Sequence, residues 1–381
     1  MRIVVLGYIV RGPLGGMIWH HLQYVLCLKQ MGHKVLFLED SDNFESCYNP
    51  ETFETTANPD FGLRYIEEVF NAFDLKDQWA YYDNFTNTWY GSGKSIVLQF
   101  CKDADLVINI SAVNPVREWW ANIPIRVMID TDPCFTQIKN LQSPEDFAAA
   151  KIHTHFFSFG ENFGRDDCRI PLDGFPWKST RQPVFLPAWD ITKAEPERSW
   201  TTVMQWDSYS EKEFGGHCYG MKSASFREYF HLPSMLTNET FELALGNKTA
   251  PAEELVNAGW KLVPPQIPTK TAQSFQKYIQ ESKGEWSIAK HGYVTSNSGW
   301  FSERSAGYLA SGRPVVLQDT GFSRVIETGR GLFSFNNLEE AVESINKVNE
   351  NYLKHCGYAR EVVEGYFNGS LVLDSLIKQL N

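Results

Sequence analysis

The chain has 381 residues, 43% hydrophobic and 21% charged, with 46 Asp and Glu against 35 Lys and Arg. This globular composition allows two or three domains and excludes a disordered or collagen-like chain. The net charge of −11 argues against a uniform basic face for gripping phosphate backbones, while a local basic cleft stays compatible with it. No run approaches the ~18 apolar residues of a membrane span, and the opening MRIVVLGYIVRG reads as a buried strand rather than a signal peptide. Seven cysteines stand singly with no CxxC pair, as in a cytoplasmic protein whose thiols are reduced and mostly buried.

In chain order, IVVLGYIV predicts a buried strand, Gly12 to Gly16 a loop, and MIWHHLQYVLCLKQMGH a helix stopped by Gly32. KVLFLED is a second strand, residues 60–73 a helix, and strands follow near 104–111, 123–130 and 153–159. Such alternation makes parallel pairs with right-handed crossovers. Five prolines between about 170 and 198 mark a linker. A second alternation then runs through SWTTVMQW, TFELALG, AEELVNAG, WKLVPP, TAQSFQKYIQES, FSERSAGYLASG and RPVVLQD, and residues 338–381 read as nearly all helical. The expected fold class is α/β: two doubly wound Rossmann-like domains facing across a cleft, 1–180 and 181–365, with 366–381 a terminal helix that crosses back.

Two stretches carry chemistry. In GPLGGMIWHH, Gly15 and Gly16 let backbone approach a ligand at a helix N-terminus, whose free amides and dipole suit a phosphate or sugar hydroxyl; the plain alternative is a tight turn. In NSGWFSERSAGYLASGRPVVLQDTGF, Gly299 ends a loop and Ser302 can cap the following helix, leaving the amides of Glu303 and Arg304 open to a diphosphate.

These two stretches resemble GT-B glycosyltransferases, especially retaining families with a Gly-Gly donor loop. The resemblance implies a nucleotide-sugar between two Rossmann-like domains, with Ser302 at the phosphate and Asp319, Thr320 and Gly321 in a loop that touches sugar hydroxyls. It departs from the family at Gly307, where a ribose-binding glutamate usually stands; Glu303 lies one turn earlier.

Further candidates are His20 and His21, as bases for an acceptor hydroxyl, and Asp130, past a strand end with Asp132. Ser111 and Asn114 are softer ones. Lys290 is a candidate for neutralising diphosphate, His291 for stacking on a base, and Lys222 is a second phosphate ligand. His153 and His155 lack a third ligand, so no metal is expected. The leading expectation is a glycosyltransferase moving a hexosyl or pentosyl group from a nucleoside-diphosphate sugar to a small-molecule, glycan or nucleic-acid acceptor. Rival readings are a sugar-nucleotide epimerase, a silent nucleotide-sugar-binding module, and a DNA-base glucosyltransferase of phage type using Arg117, Arg126 and Lys139.

Overall fold

The structure, a computed structural model, describes residues 1–246 and 249–380. Its first sheet has eight strands in the order Trp177–Ser179, His155–Ser158, Ile125–Asp130, Leu106–Ile110, Arg2–Leu6, Lys34–Asp40, Trp79–Asp83 and Thr88–Gly91. All neighbours are parallel except the last pair. The second sheet, six parallel strands, runs Lys261–Val263, Phe241–Gly246, Trp200–Gln205, Gly284–Ser287, Val315–Gln318 and Leu332–Phe335. The α/β reading with two doubly wound sheets is thus what the chain adopts.

Parallel strands buried on both faces read as continuous apolar runs, and RIVVL, LVINI and VVLQ do so. Helix stops follow the glycines: Gly32, Gly259 and Gly312 have φ of 85°, 97° and 67°, the left-handed region that glycine enters freely. The second domain spends its tryptophans on packing, with Trp200, Trp260 and Trp286 buried in one cluster.

Chain order reverses direction at one place in each sheet. In the first sheet it lies between Arg2–Leu6 and Leu106–Ile110; in the second, between Trp200–Gln205 and Gly284–Ser287. Ligands of open α/β sheets bind beyond the carboxyl ends of the strands at such reversals. In the first domain, residues 7–14 and 111–114 follow those strands; in the second, the segment leading to Lys222 and the turn at Lys290.

The proline-rich stretch is well packed. Trp177–Ser179 still pairs with the first sheet, and the connection proper follows it. Gln23 Oε1 accepts from both Phe185 N (3.0 Å) and Trp189 Nε1 (2.9 Å), and Trp189 lies 4.9 Å from Trp19, ring centre to ring centre. The last helix, Gly369–Lys378, lies against the first helix, Gly15–Gln30: a Cβ at residue 369 would fall 2.1 Å from Cys27 Sγ.

Candidate functional site

The helix Glu303–Ala310 starts at the carboxyl edge of the second sheet. Ser302 occupies its N-cap position with extended backbone (φ −74°, ψ 134°), but its hydroxyl makes no cap bond. Ser302 Oγ and Ser305 Oγ are both buried without a partner, beside a narrow hollow also lined by Ser287, Trp300, Gln318 and Thr320. The expected hydroxyl cap is therefore absent; helix entry is set by backbone, and the hydroxyl is left free.

Most cations near this edge are already neutralised. Arg304 turns under the sheet, where Nε meets the fully buried Glu285 at 2.5 Å while Nη1 and Nη2 donate to Val203 O (2.8 Å) and Ser287 Oγ (2.9 Å). This corrects the expectation that Arg304 faces a diphosphate: its geometry is that of a buried structural pair. Lys290 reaches across the cleft to Asp132 Oδ1 (2.9 Å) and Tyr209 OH (2.9 Å). Tyr293 OH also donates to Asp132, and Tyr209 OH donates to its Oδ2 at 2.5 Å. One carboxylate of the first domain thus gathers three donors of the second. His291 Nδ1 accepts from Gly220 N at 3.3 Å and bounds the loop before Lys222 rather than standing free to stack.

Lys222 differs from these. It has neither a hydrogen bond nor an ion pair among the described residues. Burial, and then the Arg304 guanidinium, push its pKa down to about 7 against the pull of Glu285 and Glu303. Glu303 is likewise unpaired among the described residues, and its charge is felt by Lys222 and, across the cleft, by Tyr8 and His20. An unpaired lysine within electrostatic reach of Glu303 and Arg304, the first residues of a helix, is an arrangement able to attract an anion.

On the facing edge, residues 7–12 are locked from below. Glu39, fully buried, accepts from the backbone of Ile9 (2.6 Å), Val10 (2.8 Å) and Arg11 (2.8 Å). Sequence reasoning missed Glu39; a glutamate ending the apolar run KVLFLED was the available signal. Asn114, a soft candidate, also holds this edge, donating to Gly7 O and accepting from Asp40 N, each at 2.8 Å. Ser111 and Ala112, at the first sheet's reversal, both take positive φ (60° and 48°), a strained pair of the kind that clusters at functional sites.

Several expected site residues serve packing instead. A Cβ at Gly15 would fall 2.4 Å from Thr271 O and 2.6 Å from Phe275 Cβ, so its close approach is to the second domain's helix Ala272–Gln280, not to a ligand; Gly16 faces the Phe275 ring at 3.4 Å. His20 is buried, with Nδ1 2.7 Å from Gln182 Oε1 and its carbonyl accepting from Gln182 Nε2 at 3.1 Å, which pins the linker; burial lowers its pKa. His21 is fully buried, with Nδ1 2.8 Å from Met17 O, its Nε2 unpartnered under Gly7, and its pKa well down for the same reason. Asp130 is buried and accepts from Thr136 Oγ1 (2.6 Å), Ser158 Oγ (2.7 Å), Gln137 Nε2 (3.0 Å) and Asp132 N (2.9 Å), with no oxygen spare for a proton transfer. Gly299 and Gly321 admit Asn162, whose Nδ2 donates to Asn297 O (3.0 Å) and Gly321 O (3.2 Å). Asp319 caps its own turn at Gly321 N (2.7 Å) and Ser323, and Thr320 Oγ1 donates to Trp300 O (2.6 Å). That loop is an interdomain clasp. Gly307 lets Trp189 approach: a Cβ there would sit 3.1 Å from the indole.

No protein-family model and no curated protein sequence matches the chain. Solved structures do. An α-glucosyltransferase in complex with UDP and a 13-mer DNA superposes with a TM-score of 0.60 at 11% identity, over 99% of this chain and 98% of that one. HepE of Anabaena, in complex with UDP and glucose, matches with a TM-score of 0.55 at 12% identity, over 100% and 99%. AviGT4, a glycosyltransferase of avilamycin A biosynthesis, gives 0.52 at 10%, over 99% and 96%. Along its whole length the chain therefore has the GT-B fold of these glycosyltransferases.

Proposed function

We propose that the chain is a glycosyltransferase that takes a sugar from a nucleoside diphosphate and passes it to a hydroxyl acceptor, its first unit (about 1–180) holding the acceptor and its second the nucleotide. The observation that carries this reading is Lys222, a half-buried cation unpaired among the described residues and coupled to Glu303 and Arg304 at the start of the helix that follows Ser302. The nucleotide-bound neighbours agree with it: two of them hold UDP. In the reaction, the acceptor oxygen bonds to the anomeric carbon as the bond to the diphosphate oxygen breaks, and the hydroxyl proton leaves with the diphosphate. Lys222, Ser302 and the open amides of Glu303 and Arg304 would stabilise charge on that leaving group. Glu303, whose charge reaches Tyr8, would bind donor hydroxyls in this reading.

The DNA held by the α-glucosyltransferase neighbour raises a nucleic-acid acceptor. The three cations expected for it are each engaged within the protein. Arg117 is bidentate to Asp40 (2.8 and 2.9 Å), Arg126 donates to Ile152 O and Ile123 O at the strand's amino end, and Lys139 pairs with Asp146.

Calorimetry with UDP and UDP-glucose tests the proposal. Binding by the intact protein that weakens at least about tenfold in Lys222→Met supports it. A folded protein that binds no nucleoside diphosphate sinks it, and sugar-nucleotide isomerisation without an acceptor would replace it with epimerase chemistry.

A further inference from the structure

Beyond the carboxyl ends of Lys34–Asp40 and Trp79–Asp83, two loops extend the first domain's cleft edge outward. They hang on the glycine loop, since Tyr48 N donates to Arg11 O at 3.0 Å and Arg11 lies 3.8 Å from Asp42. They are tied to each other as well: Asn84 N donates to Ser41 Oγ (2.9 Å) and Asn84 Nδ2 to Asn43 Oδ1 (3.1 Å). The residues immediately after these two asparagines are Phe44 and Phe85, 60% and 47% exposed, and Phe53 on the adjoining hairpin is 61% exposed. Single exposed apolar side chains need no explanation, but several phenyl rings exposed on loops tied to each other and to the glycine loop do.

Charge supplies the second observation. Residues 41–60 and 82–93 contain Asp42, Glu45, Glu51, Glu54, Asp60 and Asp83 and not one Lys or Arg. Glu45, Glu51, Glu54 and Asp60 are exposed. The guanidinium of Arg117, which reaches Asn43 at 3.4 Å, is already neutralised by Asp40. A wall of phenyl rings and carboxylates repels a phosphodiester chain and suits a ring with C–H faces and hydroxyl donors.

We propose that this wall is the acceptor subsite and that its occupant is a sugar ring free of phosphate, an inference that rests on the glycosyltransferase reading. Phe44 and Phe85 stack against the ring's C–H face. Carboxylates and the Asn43–Asn84 pair take its hydroxyls.

The test is binding of the full chain, without donor, to an array of phosphate-free glycans and to a 13-base-pair DNA duplex bearing hydroxymethylated bases. Expected are binding to at least one glycan, loss of roughly tenfold in affinity in Phe44→Ala/Phe85→Ala, and an unchanged response of that variant to UDP by calorimetry. Binding to no glycan, salt-sensitive binding to the duplex instead, or glycan binding indifferent to the phenylalanines would each overturn the proposal. The UDP titration reports on the donor reading separately, so a failure of one is not mistaken for a failure of the other.

Discussion

Replacing Lys222 by Met probes the donor site most directly, because the structure predicts two opposite effects from one change. The lysine titrates at about 7, against its ordinary 10.5, mainly because burial disfavours the charged form. A bound diphosphate would restore the charge, so binding takes up one proton above pH 7. The affinity for UDP should then fall about tenfold per pH unit between pH 7 and 9, since each unit of pKa is ~1.4 kcal/mol, while the terminal phosphate is already ionised there. In Lys222→Met the slope disappears and affinity at pH 6.5 drops by at least about tenfold. Stability moves the other way. Between about 7 and 10.5 the unfolded chain holds the proton that the folded one has shed, so the lysine's penalty is largest below pH 7 and fades as pH approaches 10.5. The Met variant should therefore be more stable than the parent by a few kcal/mol at pH 7, an order-of-magnitude figure, with the gain vanishing at high pH. Calorimetry from pH 6 to 9 and thermal unfolding at matched pH values measure both. A pH-independent UDP affinity in the parent protein, or a Met variant that keeps the same slope, would refute the reasoning.

Other perturbations separate packing from chemistry. Gly15→Ala places a Cβ against Thr271 O and Phe275 Cβ and should destabilise by ~1–3 kcal/mol in thermal unfolding, whereas Gly16→Ala, with Phe275 at 3.4 Å, should stay near the parent. Asp130→Asn turns an amide toward donors from Thr136, Gln137 and Ser158; the expected result is ~2–4 kcal/mol less stability with the shape of the pH–rate profile unchanged, and a displaced profile would restore a proton-transfer role. Asp132→Asn removes the charge that gathers Lys290, Tyr209 and Tyr293, so amide hydrogen exchange should quicken in 131–137 and 290–295 together; quickening on one side only would show that the domains are held elsewhere.

What the sequence disclosed follows from how each feature is written in it. Strands such as Arg2–Leu6 and Lys34–Asp40 are continuous apolar runs between turn residues, and their periodicity is local. Trp79–Asp83, Thr88–Gly91 and Gly284–Ser287 escaped because WAYYD, TWYG and GEWS are short and polar or aromatic; their burial is decided by neighbours far along the chain. The site divides in the same way. The glycine positions and the start of the helix near Ser302 were legible, because glycine and cap spacing are local signals. Which charges are spent was not legible: Arg304 meets Glu285 and Lys290 meets Asp132 only once the strands are ordered and the domains face each other.

That distribution of charge has a consequence for how an acidic protein can hold an anion. Nearby cations are tied to carboxylates: Arg11 to Glu39, Arg117 to Asp40, Lys290 to Asp132 and Arg304 to Glu285. Each such pair contributes rigidity to the cleft and little net field outside it. Among the described residues, Lys222 and Glu303 are left without such a partner near the start of the helix Glu303–Ala310, and they contribute to the potential a ligand meets there together with the helix N-terminus. With the lysine neutral, the empty edge keeps only the carboxylate's charge, and the ammonium forms there when a diphosphate arrives. Reversing Glu303 to Lys removes a carboxylate that favours the Lys222 ammonium and adds a cation, so UDP binding should tighten at low salt while the pH at which affinity starts to fall moves below the parent's. An onset that does not move would place the titrating group elsewhere.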